Sequence, residues 1–387
     1  MSAQTSIDQV LKRAVDQGDV PGAVAIVSLD GKVIYEGAHG TRDLATGAAM
    51  SNDTVVWIAS MTKAITGAAA MQLVERGKLS LDTPAGDVVP DLKTVQVLDG
   101  KDASGKWKTR APKSPVTLRQ LLTHTSGFGY DIWNADLGAW MEANGIPGIT
   151  SCENKALQTP LLFDPGTKWE YGIGIDYAGK MVEAATGQRL GAYVHDSILA
   201  PLGMTSTAFK ITPEMRARKA SIHARTPDGT VATDIEIPQE PQFEMGGGGL
   251  YGTVRDYLQF GEMILNKGTH KGRQILKPET VAEMSRNNIG DIDVAYMKTA
   301  MPQYSADSNF FPEVKCKWGL SFLINTTKTP QGRSPGSLAW AGLANSFYWI
   351  DPSRRLVGVI ATQVLPFFDP KAIGLFRDFE TATYKAI

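Results

Sequence analysis

Residues 54–77 read TVVWIASMTKAITGAAAMQLVERG, an apolar extended stretch running through Ser60 into an alanine-rich segment. Alanine, methionine, glutamine and leucine are strong helix formers, and Gly77 stands where a left-handed residue ends such a helix. Ser60 and Lys63 occupy positions i and i+3 at its start, which puts a hydroxyl and an amine on one face within mutual reach. The helix is almost wholly apolar, so it enters a core instead of lying on a charged surface. Burial there disfavours the ammonium form, the condition under which a lysine serves as base to a serine. An ordinary helix start with a solvated lysine is the competing reading, because S-x-x-K is short enough to arise by chance.

On the N-terminal side, Ile7, Val10, Leu11, Ala14 and Val15 fall on one face and predict a helix over 5–17. Gly22 to Leu29 and Lys32 to Gly40 flank Asp30-Gly31, a dipeptide suited to a two-residue type I′ turn, and predict an antiparallel hairpin. From about residue 86 to 240 the pattern changes to short helices and polar loops, with Thr117 capping LRQLLTH and Asp176 capping YAGKMVEAATG. Beyond the run Gly246 to Gly249, Thr253 caps another helix with Asp256 in the third position, and Pro278 opens a further one. Strands return in KWGLSFLI (317–324), LANSFYWI (343–350) and RLVGVIATQ (355–363), the last two joined across Asp351 to Arg354, and a helix follows from about Pro370. This order predicts an α+β fold, an antiparallel sheet built from both ends of the chain and flanked by helices. Residues 1–85 and 241–387 form the expected sheet domain, and 86–240 an inserted, mostly helical domain.

The 387 residues carry 39 Lys plus Arg against 40 Asp plus Glu, a net charge of −1 with no like-charge run. That removes the electrostatic footprint of a nucleic-acid or anionic-membrane partner. Two cysteines, Cys152 and Cys316, give neither a disulfide framework nor a CxxC motif, and a reducing cytoplasm fits them best. The N-terminus lacks a basic and apolar leader pattern, and the longest apolar stretch, 356–368, is broken by Thr362, Gln363 and Pro366. Five histidines without HxH or HExxH spacing predict no metal.

Three textual motifs are set aside. Gly332-Arg333-Ser334-Pro335-Gly336 matches a nucleophile elbow, but Pro335 has no N–H for an oxyanion and no strand-turn-helix surrounds it. Gly247, Gly249 and Gly252 fit a dinucleotide fingerprint without a preceding buried strand, so close backbone packing is the expected reason for them. Gly100 to Lys106 imitates a phosphate loop, but Trp107 replaces the Ser or Thr that would bind magnesium.

Five ordered segments carry a resemblance: SMTK (60–63), TLRQLLTHTSG (117–127), FDPGTKWEYG (163–172), GGGGLYGTVRDYLQF (246–260) and Trp340-Ala341-Gly342. In this order they are similar to the serine β-lactamase and penicillin-binding-protein superfamily over nearly the whole chain. The sequence most resembles its class C-like branch, and within it the family VIII carboxylesterases. The resemblance implies Ser60 as the acylated nucleophile, Lys63 as its base partner and Tyr171 as a second proton carrier. It implies an oxyanion hole from the backbone N–H groups of Ser60 and Leu343, the latter just after an edge strand.

Two departures shape the expected substrate. Tyr171-Gly172-Ile173 puts an isoleucine where the resemblance expects an asparagine, and a buried substrate amide left unpaired there costs about 1 to 3 kcal/mol. No K-T-G occurs; Trp340-Ala341-Gly342 takes its place, an indole N–H replacing an ammonium. Both changes point to a neutral, apolar acyl substrate, with Trp340, Gly342, Ile173, Tyr130 and Trp133 lining its pocket and Trp140 nearby. The expected activity is hydrolysis of short-chain carboxylic esters through an acyl-enzyme, needing no cofactor. A β-lactamase or DD-peptidase, an acyltransferase or amide hydrolase on the same serine, and a non-catalytic sensor are the alternatives. The oligomeric state is open.

Overall fold

The structure, a computed structural model, describes residues 3–387. Helix α1 (Ala3–Asp16) is followed by strands β1 (Gly22–Leu29), β2 (Lys32–Asp43) and β3 (Ala48–Ala49). Asp30 and Gly31 both adopt positive φ, 50° and 74°, as a type I′ turn requires. Helix α2 (Thr62–Glu75) ends at Arg76, with Gly77 at φ 67°. Then come α3 (Leu118–Thr123), α4 (Ala135–Asn144), α5 (Gly174–Thr186) and α6 (Val254–Leu265). The chain closes with β4 (Cys316–Trp318), β5 (Leu323–Asn325), β6 (Leu338–Gly342), β7 (Ser346–Asp351), β8 (Leu356–Ala361) and α7 (Pro370–Lys385).

The main sheet runs β4-β5-β6-β7-β8-β1-β2-β3, every pair antiparallel, so strands from both chain ends meet at β8 and β1. Alternation along β7 assigns its two faces. Phe347 stacks on Phe376 of α7 at 4.2 Å and Trp349 meets Phe379, while Tyr348 points oppositely to Tyr257 of α6. The sheet is thus sandwiched between the terminal helices and α6. Gly261 lets α6 approach closely, since a Cβ there would lie 2.6 Å from Val357.

Local chemistry agrees with the sequence at several ends. Thr117 and Gln120 form a reciprocal capping box, Thr253 accepts the Asp256 N–H, and a helix begins at Pro278. Elsewhere the structure differs. KWGLSFLI is two short strands, because the chain turns through Gly319–Phe322 with Ser321 at φ 79°. Asp176 is not the N-cap: α5 starts two residues earlier, so it sits in the first turn, where its carboxylate bonds its own N–H and turns into the core. The segment 86–240 also holds two hairpins, Val97–Lys101 with Trp107–Arg110 and His223–Thr226 with Gly229–Ala232; the Gly100–Lys106 stretch is the turn of the first. Residues 332–336 are a loop between β5 and β6. Among the described residues, no helix is long and apolar enough to cross a membrane.

Candidate active site

Ser60 lies in a single 3-10 turn, Ala59–Met61, which runs directly into α2. Ala59 before it holds φ 45°, a left-handed conformation that is costly for a residue with a Cβ. Neighbouring groups impose it: Ile58 N–H donates to Leu250 O at 3.1 Å, and the Tyr257 hydroxyl donates to Met61 O at 2.9 Å. Gly342 closes the other side. A Cβ there would stand 2.5 Å from the Ile58 carbonyl, so only glycine lets β6 pass the Ser60 turn this closely. β6 is third in the sheet, not an outer strand, yet β5 pairs only with Leu338 and Ala339, leaving Trp340–Gly342 an edge on that side.

Lys63 is fully buried one turn along. Its Nζ donates to Ser60 Oγ at 3.1 Å, to the Tyr130 hydroxyl at 3.0 Å and to the Gly247 carbonyl at 2.6 Å, which uses all three ammonium donors. Burial pushes its pKa down from 10.5 to about 7, and the Asp176 carboxylate opposes that shift. Tyr171 presents its ring face to the same nitrogen, 4.7 Å from the centroid, and its hydroxyl accepts the Trp340 indole N–H at 2.9 Å. Burial raises both phenols, Tyr130 well above its ordinary value; hydrogen bonds from Ser60 and Trp340 pull Tyr171 partly back.

A narrow cavity of about 40 Å³ opens on Ser60, lined by Trp57, Ile132, Trp133, Tyr171, Met245 and Leu343 among others. Tyr130 and Trp133 belong to this wall, as the sequence suggests. Ile173 and Trp340 do not. Ile173 is buried at the N-cap of α5, and Trp340 stands behind Tyr171, packed on Trp318 and Phe310. Trp140 sits on α4, outside the lining. Gly342 acts by its missing side chain.

Three features escaped the sequence reading. Tyr130, taken there only as pocket wall, is the tyrosine that Lys63 bonds. Gly247 supplies a carbonyl to Lys63 besides its close packing. Asp176 lies behind Gly247 and accepts its N–H at 2.8 Å. A carboxylate inside the apolar run GIGIDYAG (172–179) was the available clue to burial.

The beta-lactamase family model matches residues 7–382, and the chain belongs to that family. It is a serine acyl-enzyme of the β-lactamase fold, in a group that includes hydrolases and acyltransferases. It is 31% identical to monacolin J acid methylbutanoyltransferase of Aspergillus terreus, covering 98% of this chain and 95% of that one. It is 32% identical to lovastatin esterase of Penicillium rubens, over 98% of each chain. Among solved structures, the LovD6 mutant of simvastatin synthase from Aspergillus terreus superposes with a TM-score of 0.85 at 30% identity, covering 98% of this chain and 96% of that one.

Proposed function

We propose that the protein moves short, neutral acyl groups through an ester on Ser60, with carboxylic-ester hydrolysis of the family VIII type as its activity. The observation that carries this is the buried Lys63 amine, in contact with both Ser60 Oγ and the Tyr130 hydroxyl beside an apolar cavity. In the reaction as we draw it, neutral Lys63 takes the Ser60 proton as Oγ attacks the ester carbonyl carbon. The Ser60 and Leu343 N–H groups receive the carbonyl oxygen's charge. The tetrahedral adduct collapses, the C–O bond to the alcohol breaks, and the proton passes from Lys63 to the leaving oxygen. Tyr171, whose raised pKa favours a neutral phenol and whose hydroxyl is bonded by Ser60, relays that proton without itself ionising, while Tyr130 holds the amine in place. Water then repeats the sequence on the acyl-enzyme and releases the acid.

A second reading has specific support: delivery of the acyl group to an alcohol instead of water. The similarity to a methylbutanoyltransferase runs the length of the chain, and an apolar cavity favours an organic acceptor over bulk water. Both readings share the first half-reaction. The test is kcat/KM for p-nitrophenyl butyrate and for a chromogenic cephalosporin, in wild type and Ser60→Ala, with product analysis in added alcohol. An ester preference of at least about a hundredfold that vanishes in Ser60→Ala is expected. A cephalosporin preference would sink the ester assignment. Transesterified product accumulating over free acid would select transfer.

A further inference from the structure

The loop Gly246–Gly249 passes between Lys63 and Asp176, and one residue of it touches both. The Gly247 carbonyl accepts from Lys63 Nζ at 2.6 Å, and the Gly247 N–H donates to Asp176 Oδ1 at 2.8 Å. Asp176 is 1% exposed, and its Oδ2 has no hydrogen-bond partner. A Cβ on residue 247 would lie 2.5 Å from that oxygen, so glycine is what permits the approach. A buried carboxylate is costly unless a positive charge or several donors compensate it. Lys63 is the basic group that acts on this one, aided by the N-terminal turn of α5. A first-turn acid on a surface helix needs no such burial; here the carboxylate is turned inward toward Gly247 and Lys63.

We propose that Asp176 is a positioning residue for the reaction, an anionic counter-charge acting through the Gly247 peptide that holds the Lys63 amine on Ser60 and governs its proton. This rests on Lys63 being the base, as read above.

The other groups in the field are accounted for. Asp176 also acts on Tyr130 and Tyr171, which flank Lys63, and on Cys152, raising all three. His124, tilted against Tyr171 with ring centroids 4.7 Å apart, is held neutral by burial and by Lys63, so it supplies no competing cation. Burial pushes Asp176 up and Lys63 down, while each charge works against the other's shift. The pair therefore titrates jointly. Replacing Asp176 by Asn keeps an oxygen for the Gly247 N–H and removes the negative charge. Lys63 then surrenders its proton at lower pH.

The test uses the full chain with 13C-labelled lysine, assigning the Lys63 signal by its loss in Lys63→Met. Its titration and the pH profile of kcat/KM on p-nitrophenyl butyrate are measured in wild type and D176N. Both midpoints should move down by about one pH unit or more. If neither moves, or if the rate profile moves while the lysine signal stays, the proposal is overturned. A lysine signal that moves under an unchanged rate profile upholds the coupling and removes Lys63 as the titrating base. Should D176N not fold, Lys63→Met with 13C-labelled aspartate gives the reciprocal reading. The Asp176 midpoint should rise once its counter-charge is gone, and an unchanged midpoint overturns the proposal.

Discussion

Trp340 donates its indole N–H to the Tyr171 hydroxyl at 2.9 Å, with the two rings 4.9 Å apart. The donor is neutral. It polarises the phenol without adding charge to the site.

Trp340→Phe keeps most of the packing on Trp318 and Phe310 and deletes only the donor. A neutral hydrogen bond contributes about 0.5 to 1.5 kcal/mol, so kcat/KM for p-nitrophenyl butyrate should fall roughly threefold to tenfold. A loss beyond a hundredfold would show that the indole does more than hold the hydroxyl.

Tyr130 reaches the Lys63 amine with its hydroxyl and Tyr171 with its ring face, and single Phe variants separate them. If Tyr171 carries the proton to the leaving oxygen, Tyr171→Phe loses about a hundredfold or more in kcat. Tyr130→Phe removes one partner of Lys63 and should cost no more than about tenfold. Steady-state kinetics on both variants decide it, and the reverse ranking would transfer the proton relay to Tyr130.

The rate should rise with pH through an acid limb near 7. Burial lowers the Lys63 pKa to about that value, and only the neutral amine accepts the Ser60 proton. Below the limb, kcat/KM falls about tenfold per pH unit. A profile flat from pH 5 to 9 would contradict Lys63 as the titrating base.

Gly342→Ala forces a Cβ toward the backbone oxygen of Ile58, which no side-chain rotation can relieve. The strand must retreat from the Ser60 turn, taking the Leu343 N–H with it. Loss of one oxyanion donor costs about 10² to 10³ in kcat. Activity should therefore fall far more than thermal stability, a comparison that kinetics and a melting curve supply together.

Glu380→Gln tests the core beneath α7. Arg333 and Glu380 are both buried and bonded twice, at 2.5 and 3.0 Å, with the guanidinium set among Phe311, Trp349 and Phe376. Removing one partner leaves a buried charge uncompensated, a loss of about 3 to 5 kcal/mol read from the urea midpoint. An unchanged midpoint would mean the pair contributes specificity alone.

Local rules were legible because they depend on neighbours in the chain. Asp30-Gly31 forms its turn, Thr117 and Thr253 cap their helices, and Gly77 ends α2 for reasons contained in a few residues. Asp176 was misread by the same rules. Its position near a helix start suggests a cap, but the side chain answers to Gly247, 71 residues away. KWGLSFLI looked continuous because its apolar content hides the turn at Ser321.

The sequence by itself determined that Ser60, in the turn opening α2, and Lys63, in its first turn, lie within reach of each other at the start of an apolar helix. It also determined the N-terminal hairpin and the strands within 343–363, whereas β6, which passes the Ser60 turn, was anticipated only through the resemblance. Only the tertiary structure decided which tyrosine Lys63 bonds, that Trp340 stands behind Tyr171 instead of in the cavity wall, and that Asp176 faces the lysine through Gly247. Those pairings join segments 67 to 184 residues apart. Burial and Coulomb interaction act through space, and sequence spacing carries no measure of that distance.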